Sequence, residues 1–305
     1  MNIIKTKFLL LAIIFFSVFF CHTANAADYT HFNTEKAKSG VIYSKAFRST
    51  ADAQQGYNSN DNIPFGSAGS AYYDSAMDAT IIPLTYNVHR YGTGYGRNDA
   101  SAFTPNSGPD IWIQWEQRVD QNFINDLSIP IAGGLSIYNT KLFRLGSSIN
   151  RCGDDPILTS LYVEHYTSPE KKAWYMHENN ACNFDGAQRI GDASVEGNKW
   201  LRFTWNINFN TKRVRLWKTD VSTGSTVSLV DFTDSNWNAT YIDNAYPLIH
   251  LTTLDNAGWG SPPPHTTYIF AYRNVIVSTQ SIAFTTGSAP PDTTPPAAPS
   301  GLSVR

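Results

Sequence analysis

Apolar and polar residues alternate from residue 111 to residue 119, a stretch that reads IWIQWEQRV. This period of two predicts a β-strand whose successive residues lie on opposite faces of a sheet. The apolar face holds Ile111, Ile113, Trp115 and Val119, with Gln117 as its one polar member. The opposite face holds Trp112, Gln114, Glu116 and Arg118. An aromatic ring beside amide, carboxylate and guanidinium groups suits a sugar ring, whereas the alternative is a half-solvated strand with one exposed tryptophan.

Three further stretches divide their residues between two faces in the same way. In 200–208 the apolar face holds Leu201, Phe203, Trp205 and Ile207, and the other face holds Trp200, Arg202, Thr204 and Asn206. In 159–166 one face holds Tyr162, Glu164 and Tyr166, and in 268–278 one face holds Tyr268, Phe270, Tyr272 and Asn274. We therefore expect an open groove in which Trp112 and Trp200 share a partly exposed face, while Trp115, Phe203 and Trp205 are buried. The alternative is that loops cover this face and that its role is structural.

Strand-like segments of this kind recur along the chain between clusters of turn residues. They span 81–89, 111–119, 141–145, 159–166, 173–177, 200–208, 213–218, 227–232, 246–253 and 268–278. We find no amphipathic helix longer than about three turns, although 44–55 fits a short helix. The pattern predicts an all-β fold in which residues 27–286 form one large sandwich domain.

The two ends of the chain differ from this central part. Lys5 and Lys7 precede an apolar run and an Ala-Asn-Ala site, which predicts a signal peptide over 1–26 and a secreted or periplasmic bacterial protein. The run is too short to span a bilayer. Removing it leaves 21 basic and 25 acidic residues, a net charge of −4, which does not favour a nucleic-acid partner. Residues 287–305 are a proline-rich linker that continues into the start of a fibronectin type III-like sequence.

Two cysteines, Cys152 and Cys182, remain after the predicted cleavage removes Cys21. An even number of cysteines in an exported chain predicts a disulfide, and the alternative is a pair of free thiols. Oxygen-rich turns at 58–62, 153–155 and 254–256 are candidate sites for a structural calcium ion, although ordinary turn preferences explain them equally well. We expect no other cofactor, and we expect a monomer.

Three segments resemble the concanavalin A-like lectin and glucanase sandwich, which includes laminin-G-like modules and polysaccharide lyases. They read IWIQWEQRVD at 111–120 followed by KLFRLG at 141–146, WLRFTWNINFNTKRVRLWKTD at 200–220, and YIFAYRNVIVSTQSI at 268–282. The resemblance covers residues 30–285. It implies a two-sheet antiparallel jelly-roll sandwich with one concave sheet that engages polysaccharide.

The sequence favours binding over hydrolysis. The E-x-D-x-x-E motif of the glucanases in this superfamily is absent, and Glu116 and Asp120 on one strand would lie about 13 Å apart, too far for a pair of catalytic carboxyls. We therefore predict a polysaccharide-binding protein, and its candidate sugar-binding residues are Trp112, Gln114, Glu116, Arg118, Arg144, Tyr162, Trp200 and Arg202. Several arginines in the central strands point to an anionic glycan.

The alternative activity is a polysaccharide lyase that eliminates a glycosidic oxygen next to a uronic carboxylate. Such an enzyme needs a histidine or tyrosine as base and acid, together with groups that neutralise the carboxylate. The candidate catalytic residues are Tyr272, His250, Arg118 and Gln114. The Gln-x-His and Tyr-x-Lys-x-Gly-x-Tyr-x-Gln patterns of alginate lyases are absent. His250 and His165 are each also explained as ordinary core histidines.

Overall fold

A computed structural model describes residues 29–54, 72–85, 95–98, 110–126, 139–147, 157–167, 170–178, 188–233, 245–251, 253–255 and 267–286. The described chain forms two antiparallel sheets with short helical segments. Among the described residues, no helix is long and apolar enough to cross a bilayer.

Sheet A has eight strands. Its path runs in the order β12 (Thr226–Thr233), β11 (Arg213–Asp220), β10 (Leu201–Asn208), β5 (Asp110–Arg118), β15 (Thr267–Ser278), β3 (Ala79–Thr85) and β2 (Tyr72–Asp74), and β1 (Val41–Lys45) also pairs with β15. Strand β5 pairs with β10 on one side and with β15 on the other, so its neighbours come from distant parts of the chain.

Sheet B has seven strands. Its path runs in the order β4 (Tyr95–Asn98), β13 (Ala245–Leu251), β6 (Asn139–Ser147), β7 (Ile157–Thr167), β8 (Glu170–Glu178) and β9 (Gln188–Ser194), and β14 (Thr253–Asp255) also pairs with β6. Every pairing in both sheets is antiparallel, and the strand orders interleave early and late parts of the chain. The predicted all-β, two-sheet jelly-roll sandwich is confirmed.

Three helical segments accompany the sheets: α1 (29–36), α2 (Thr50–Gln54) and α3 (Gln121–Asp126). The short helix predicted within 44–55 is α2, and the Ser49 hydroxyl caps it by accepting a hydrogen bond from the Asp52 backbone N–H at 3.0 Å. The first residues of that predicted stretch belong to β1 instead. Helix α1, which the alternation of the strands does not reveal, packs its Phe32 against sheet A.

The core face of sheet A is apolar, as the alternation predicts. Trp115 stacks on Phe203 with ring centroids 5.3 Å apart and approaches Trp205 at 6.5 Å. All three are buried, which confirms that part of the prediction. Helix α3 closes one end of this layer because Phe123 meets the rings of Tyr268 and Phe270 edge-on.

A β-bulge in β15 changes which residues share a face. Arg273 pairs with Glu116, yet Ile276 pairs with Gln114, so residues 274 and 275 lie opposite residue 115 and β15 has one extra residue relative to a regular ladder. Asn274 lies at this bulge with φ of 58°. A bulge of this kind breaks the strict period of two. The predicted grouping therefore holds for Tyr268, Phe270 and Tyr272, and it fails beyond Arg273, where Val277 rejoins the core face by pairing with Ile113.

Candidate functional site

The outer face of sheet A is the face predicted to form an open groove, and the structure covers it. Its residues include Trp112, Gln114, Glu116, Arg202, Thr204 and Asn206, all of them at most 4% exposed. Helix α1 and residues 279–286 lie over them and make direct contacts. The prediction that this face is open to solvent is wrong, because alternation tells which residues share a face and not what packs on it.

A buried carboxylate, Glu116, organises the centre of the outer face. Its Oε1 accepts hydrogen bonds from Arg202, at 3.0 Å from Nε and 2.5 Å from Nη2. Its Oε2 accepts hydrogen bonds from Arg273 Nε at 2.8 Å and from Asn274 Nδ2 at 3.1 Å. Two guanidinium groups and an amide thus satisfy one carboxylate away from water, which makes this cluster a structural joint.

Gln114 joins three segments of the chain beside that carboxylate. Its Nε2 donates to the Thr204 hydroxyl and to the Ala283 carbonyl, both at 2.9 Å. Its Oε1 lies 2.9 Å from Nε2 of His31 in helix α1. The amide is therefore fully engaged within the protein, and the expected roles of Gln114 in binding sugar or catalysing elimination are not supported by this position.

Other side chains of the protein pack against both sides of the Trp112 ring. Its ring stacks on Trp217 with centroids 5.9 Å apart and an interplanar angle of 7°, and Arg215 lies 5.8 Å from its centroid. Phe32 and Ile282 pack against it from helix α1 and the C-terminal segment. The stacking partner of this tryptophan is the protein itself, so the position predicted for a sugar ring is occupied.

Trp200 and Arg118 lie at the margin of the outer face and remain partly exposed. The Arg273 guanidinium lies 4.0 Å from the centroid of the Trp200 ring. Arg118 Nε donates to the Asn198 carbonyl at 3.2 Å, and burial lowers the pKa of its guanidinium, partly offset by Asp120. Trp200 does share the outer face with Trp112, as predicted, but only Trp200 reaches solvent.

Tyr272 lies on the core face of sheet A, where it is 0% exposed. Its hydroxyl accepts a hydrogen bond from Gln117 Nε2 at 3.0 Å, and Gln117 Oε1 accepts one from the Trp115 indole at 3.1 Å. These bonds explain the polar exception in the apolar face of β5. A buried core tyrosine cannot reach a polymer, so the prediction of Tyr272 as a catalytic acid or base is wrong.

The remaining candidate residues, Arg144, Tyr162 and His250, all belong to sheet B. Arg144 pairs with Leu248 of β13 and with Ser160 of β7. Directly paired residues share a face, and Tyr162 and His250 each lie two positions from one of those partners. The register therefore brings these three residues to one face of sheet B, away from Gln114, Arg118 and Tyr272.

We call this surface the polar face of sheet B and define it by its register. Its members are Asn98, Asn139, Lys141, Arg144, Ser160, Tyr162, Glu164, Tyr166, Lys171, Tyr175, His177, Arg189, His250 and Asp255, with Leu248 and Ala173 between them. A bulge between Lys141 and Phe143 keeps both Lys141 and Arg144 on this face. The result is a set of cations, aromatic residues and imidazoles on five neighbouring strands.

The opposite face of sheet B is apolar in its centre. Phe143, Leu161 and Met176 form one cross-strand row, and Val163 pairs with Trp174 in the next. A sandwich buries its apolar faces against each other. The sequence pattern thus favours this face for the core, and the polar face of sheet B is the opposite side of the same sheet.

Strand β8 contains two residues that the sequence reasoning did not select, Tyr175 and His177. Tyr175 pairs with Tyr162 and with Arg189, and His177 pairs with Ser160. The signal was present as alternation in EKKAWYMHE, where Lys171, Tyr175 and His177 alternate with Trp174 and Met176. Arg189 required the structure, because β9 was not predicted as a strand.

Several expectations fall outside the described residues. These are the signal peptide over 1–26, the linker over 287–305, the Cys152–Cys182 disulfide and the oxygen-rich turns at 58–62 and 153–155. Within the described part of the chain, no group of three or more histidine, cysteine or acidic residues is arranged to hold a metal ion. The disulfide and the calcium site remain predictions.

Comparisons with known proteins give matches among solved structures only. No protein-family model matches this chain, and no curated protein matches it. A marine PL-14 alginate lyase from Aplysia kurodai is 14% identical, with 79% of this chain and 100% of that chain covered and a TM-score of 0.49. The chain is similar in fold to carbohydrate-active sandwich proteins.

Two other similar structures have different activities. The catalytic domain of a glycoside hydrolase family 131 protein from Coprinopsis cinerea is 11% identical, with 81% of this chain and 98% of that chain covered and a TM-score of 0.46. A basic winged bean lectin in complex with Tn-antigen is 11% identical, with 68% and 90% covered and a TM-score of 0.40.

Proposed function

We propose that this protein is an exported polysaccharide-binding protein and that the polar face of sheet B holds the glycan. The observation that carries the proposal is the register that gathers Arg144, Tyr162, Tyr175, His177 and His250 on one face. The other patterned face, on sheet A, is covered by helix α1 and residues 279–286. Of the two sheets, sheet B therefore offers the aromatic and basic residues that a ligand could contact.

The charge of this face favours an anionic polymer. It carries four basic residues, Lys141, Arg144, Lys171 and Arg189, and two acidic ones, Glu164 and Asp255. The chain as a whole is acidic, with 23 basic and 25 acidic residues. A locally positive face on an acidic protein attracts carboxylate or sulfate groups.

The aromatic residues supply the second requirement for sugar recognition. Tyr162 and Tyr175 are direct register partners, and Lys141 and Arg189 flank them in the same cross-strand row. Four neighbouring strands at about 4.8 Å spacing span about 14 Å, long enough for several sugar units. A row with aromatic residues inside and cations outside fits a polymer that lies across the strands.

The test compares matched variants on the two sheets. We expect Arg144→Ala and Tyr162→Ala each to weaken retention on uronate polymers in affinity electrophoresis by about tenfold or more. Arg213→Ala and Tyr72→Ala are the controls, because both lie on sheet A, where Arg213 pairs with Asp231 and Tyr72 is exposed. Equal retention of all four variants, or no retention of the wild type on any charged or neutral polysaccharide, would contradict the proposal.

Lyase activity is the second candidate, and one observation favours it. His177 and Arg144 share a cross-strand row through Ser160, with Tyr162 two residues along β7. A base, a carboxylate-neutralising cation and a hydroxyl acid are the groups that β-elimination requires. If the protein is a lyase, uronate polymers will gain unsaturated ends that absorb in the ultraviolet, and His177→Ala will abolish this gain while retention persists. Absorbance that stays flat on alginate, glucuronan and heparin-type polymers would rule this candidate out.

A further inference from the structure

His31 connects helix α1 to sheet A through a single hydrogen bond. Its Nε2 lies 2.9 Å from Gln114 Oε1, and it is the donor, since the Gln114 amide nitrogen is already used by Thr204 and Ala283. The imidazole is 2% exposed. Among the described residues, no group forms a hydrogen bond with His31 Nδ1. A proton on that nitrogen would therefore be a buried charge without an acceptor.

The C-terminal segment is fastened at the same place. The Ala283 N–H donates to Glu35 Oε2 at 3.1 Å, and the Ala283 carbonyl accepts from Gln114. The next residue is held by Arg202, whose Nη1 donates to the Phe284 carbonyl at 2.7 Å. Helix α1, strand β5 and the C-terminal segment thus meet in one joint, and His31 is the member whose charge can change in mildly acidic solution.

We propose that helix α1 and residues 279–286 form an acid-released clasp, which leaves the outer face of sheet A when the His31 imidazole takes up a proton. This device is distinct from the polar face of sheet B, because it acts on the opposite sheet. Its release exposes Trp112 and Gln114, which the clasp otherwise buries.

The charged groups around His31 come from every element that packs there. Helix α1 contributes Glu35, which also accepts from Lys38 at 2.6 Å, strand β5 contributes Glu116, and strand β10 contributes Arg202. Arg273 of β15 lies one step further on and binds the far oxygen of Glu116. Burial is the main influence that lowers the pKa of His31 from 6.5 to about 4, and Arg202 adds to it, while Gln114, Glu35 and Glu116 oppose it.

The direction of the pH effect follows from these values. In the closed clasp, the His31 imidazole stays neutral down to about pH 4. In the released clasp, it takes up a proton near its ordinary pKa of 6.5. Acidification between those limits therefore favours release by up to about tenfold per pH unit, or about 10²-fold in total. Above pH 6.5 the ratio of released to closed clasp does not depend on His31.

Hydrogen–deuterium exchange of the full mature protein tests the clasp. Peptides covering 29–36 and 279–286 should lose protection between pH 6.5 and pH 4, after correction for intrinsic exchange, while peptides covering the core strands β5 and β10 stay protected. In His31→Gln, whose amide still donates to Gln114, the two clasp peptides should show the same protection at both pH values. Glu35→Gln, which retains an acceptor for Ala283, should keep the acid-dependent release.

Three outcomes would overturn the proposal. The first is clasp peptides that remain protected at pH 4. The second is loss of protection in His31→Gln at the same pH as in the wild type, or its absence in Glu35→Gln, which would assign the effect to a carboxylate. The third is simultaneous exchange of clasp and core strands, which would make the transition global unfolding. Fluorescence of Trp112, compared with a Trp112→Phe reference, provides a second readout of the same release.

Discussion

The outer face of sheet A and the polar face of sheet B have similar sequence patterns and different fates. Both alternate aromatic, basic and amide residues with apolar ones along neighbouring strands. On sheet A, Glu116 binds Arg202 and Arg273, and helix α1 and residues 279–286 cover the cluster. On sheet B the basic residues outnumber the acidic ones. The difference teaches that alternation shows which residues share a face, whereas packing by distant segments of the chain decides whether that face is buried.

The largest effect should come from breaking the balance on sheet A. Glu116→Gln leaves two buried guanidinium groups without their carboxylate, and we expect a loss of about 3–5 kcal/mol in the free energy of unfolding. Urea denaturation at neutral pH measures it, with glycan retention of the remaining folded protein unchanged. A loss below about 1 kcal/mol would show that the outer face tolerates unpaired charge and is not the joint described above.

A smaller effect should appear in the pH dependence of stability. Because the pKa of His31 falls from 6.5 to about 4 on folding, the folded state binds fewer protons than the unfolded state between those values. Stability is therefore full above pH 6.5 and decreases as the pH falls towards 4, by at most about 3 kcal/mol. Denaturation curves at several pH values should show this slope in the wild type and a flatter one in His31→Gln. Identical slopes would show that His31 does not cause the decrease in stability at acidic pH.

If the polar face of sheet B binds an anionic glycan, as proposed, its retention of that glycan should depend on salt. Lys141→Ala and Arg189→Ala should each weaken retention of an anionic polymer by about 1 kcal/mol and reduce its dependence on ionic strength. Neither variant should lower the free energy of unfolding appreciably. Retention that is insensitive to salt in the wild type would argue for a neutral glycan and would make the row of tyrosines, without the cations, responsible for binding.

The smallest effect should come from the exposed ion pair on the edge of sheet A. Arg213 and Asp231 form a two-point pair at 2.7 Å that lowers the pKa of the carboxyl, yet Asp231 is about half exposed. We expect Asp231→Ala to cost less than about 1 kcal/mol in thermal or urea unfolding. A cost equal to that of Glu116→Gln would mean that burial does not distinguish the two pairs.

Much of the fold follows from sequence because strands with one apolar face are read directly from alternation. Strands β5, β10 and β11 and the buried Trp115, Phe203 and Trp205 were predicted closely for this reason. Helix α1 was missed because it is short and its contacts with Gln114 and Ala283 are with residues far away in sequence. The cover it provides, and so the burial of Trp112, could not be predicted from local patterns.

The candidate site was predicted only in part for similar reasons. Arg144, Tyr162 and His250 were selected one by one, and only strand register places them on one face with Tyr175 and His177. Tyr272 was misassigned because a tyrosine on an alternating strand gives no sign of which sheet face is the core. Its partner Gln117 was the available clue, since a lone amide within an apolar face predicts a buried hydrogen-bond acceptor nearby.

The joint at Ala283 has a consequence for how the chain acquires its structure. The hydrogen bond between Glu35 and Ala283 connects residues 248 positions apart. During synthesis from the N-terminal end, helix α1 therefore has no complete docking site until residue 283 has been added. Strand pairing across such separations is slow because loop closure precedes any gain from contact. Helix α1 can therefore complete the outer layer of sheet A only after residues 279–286 are in place.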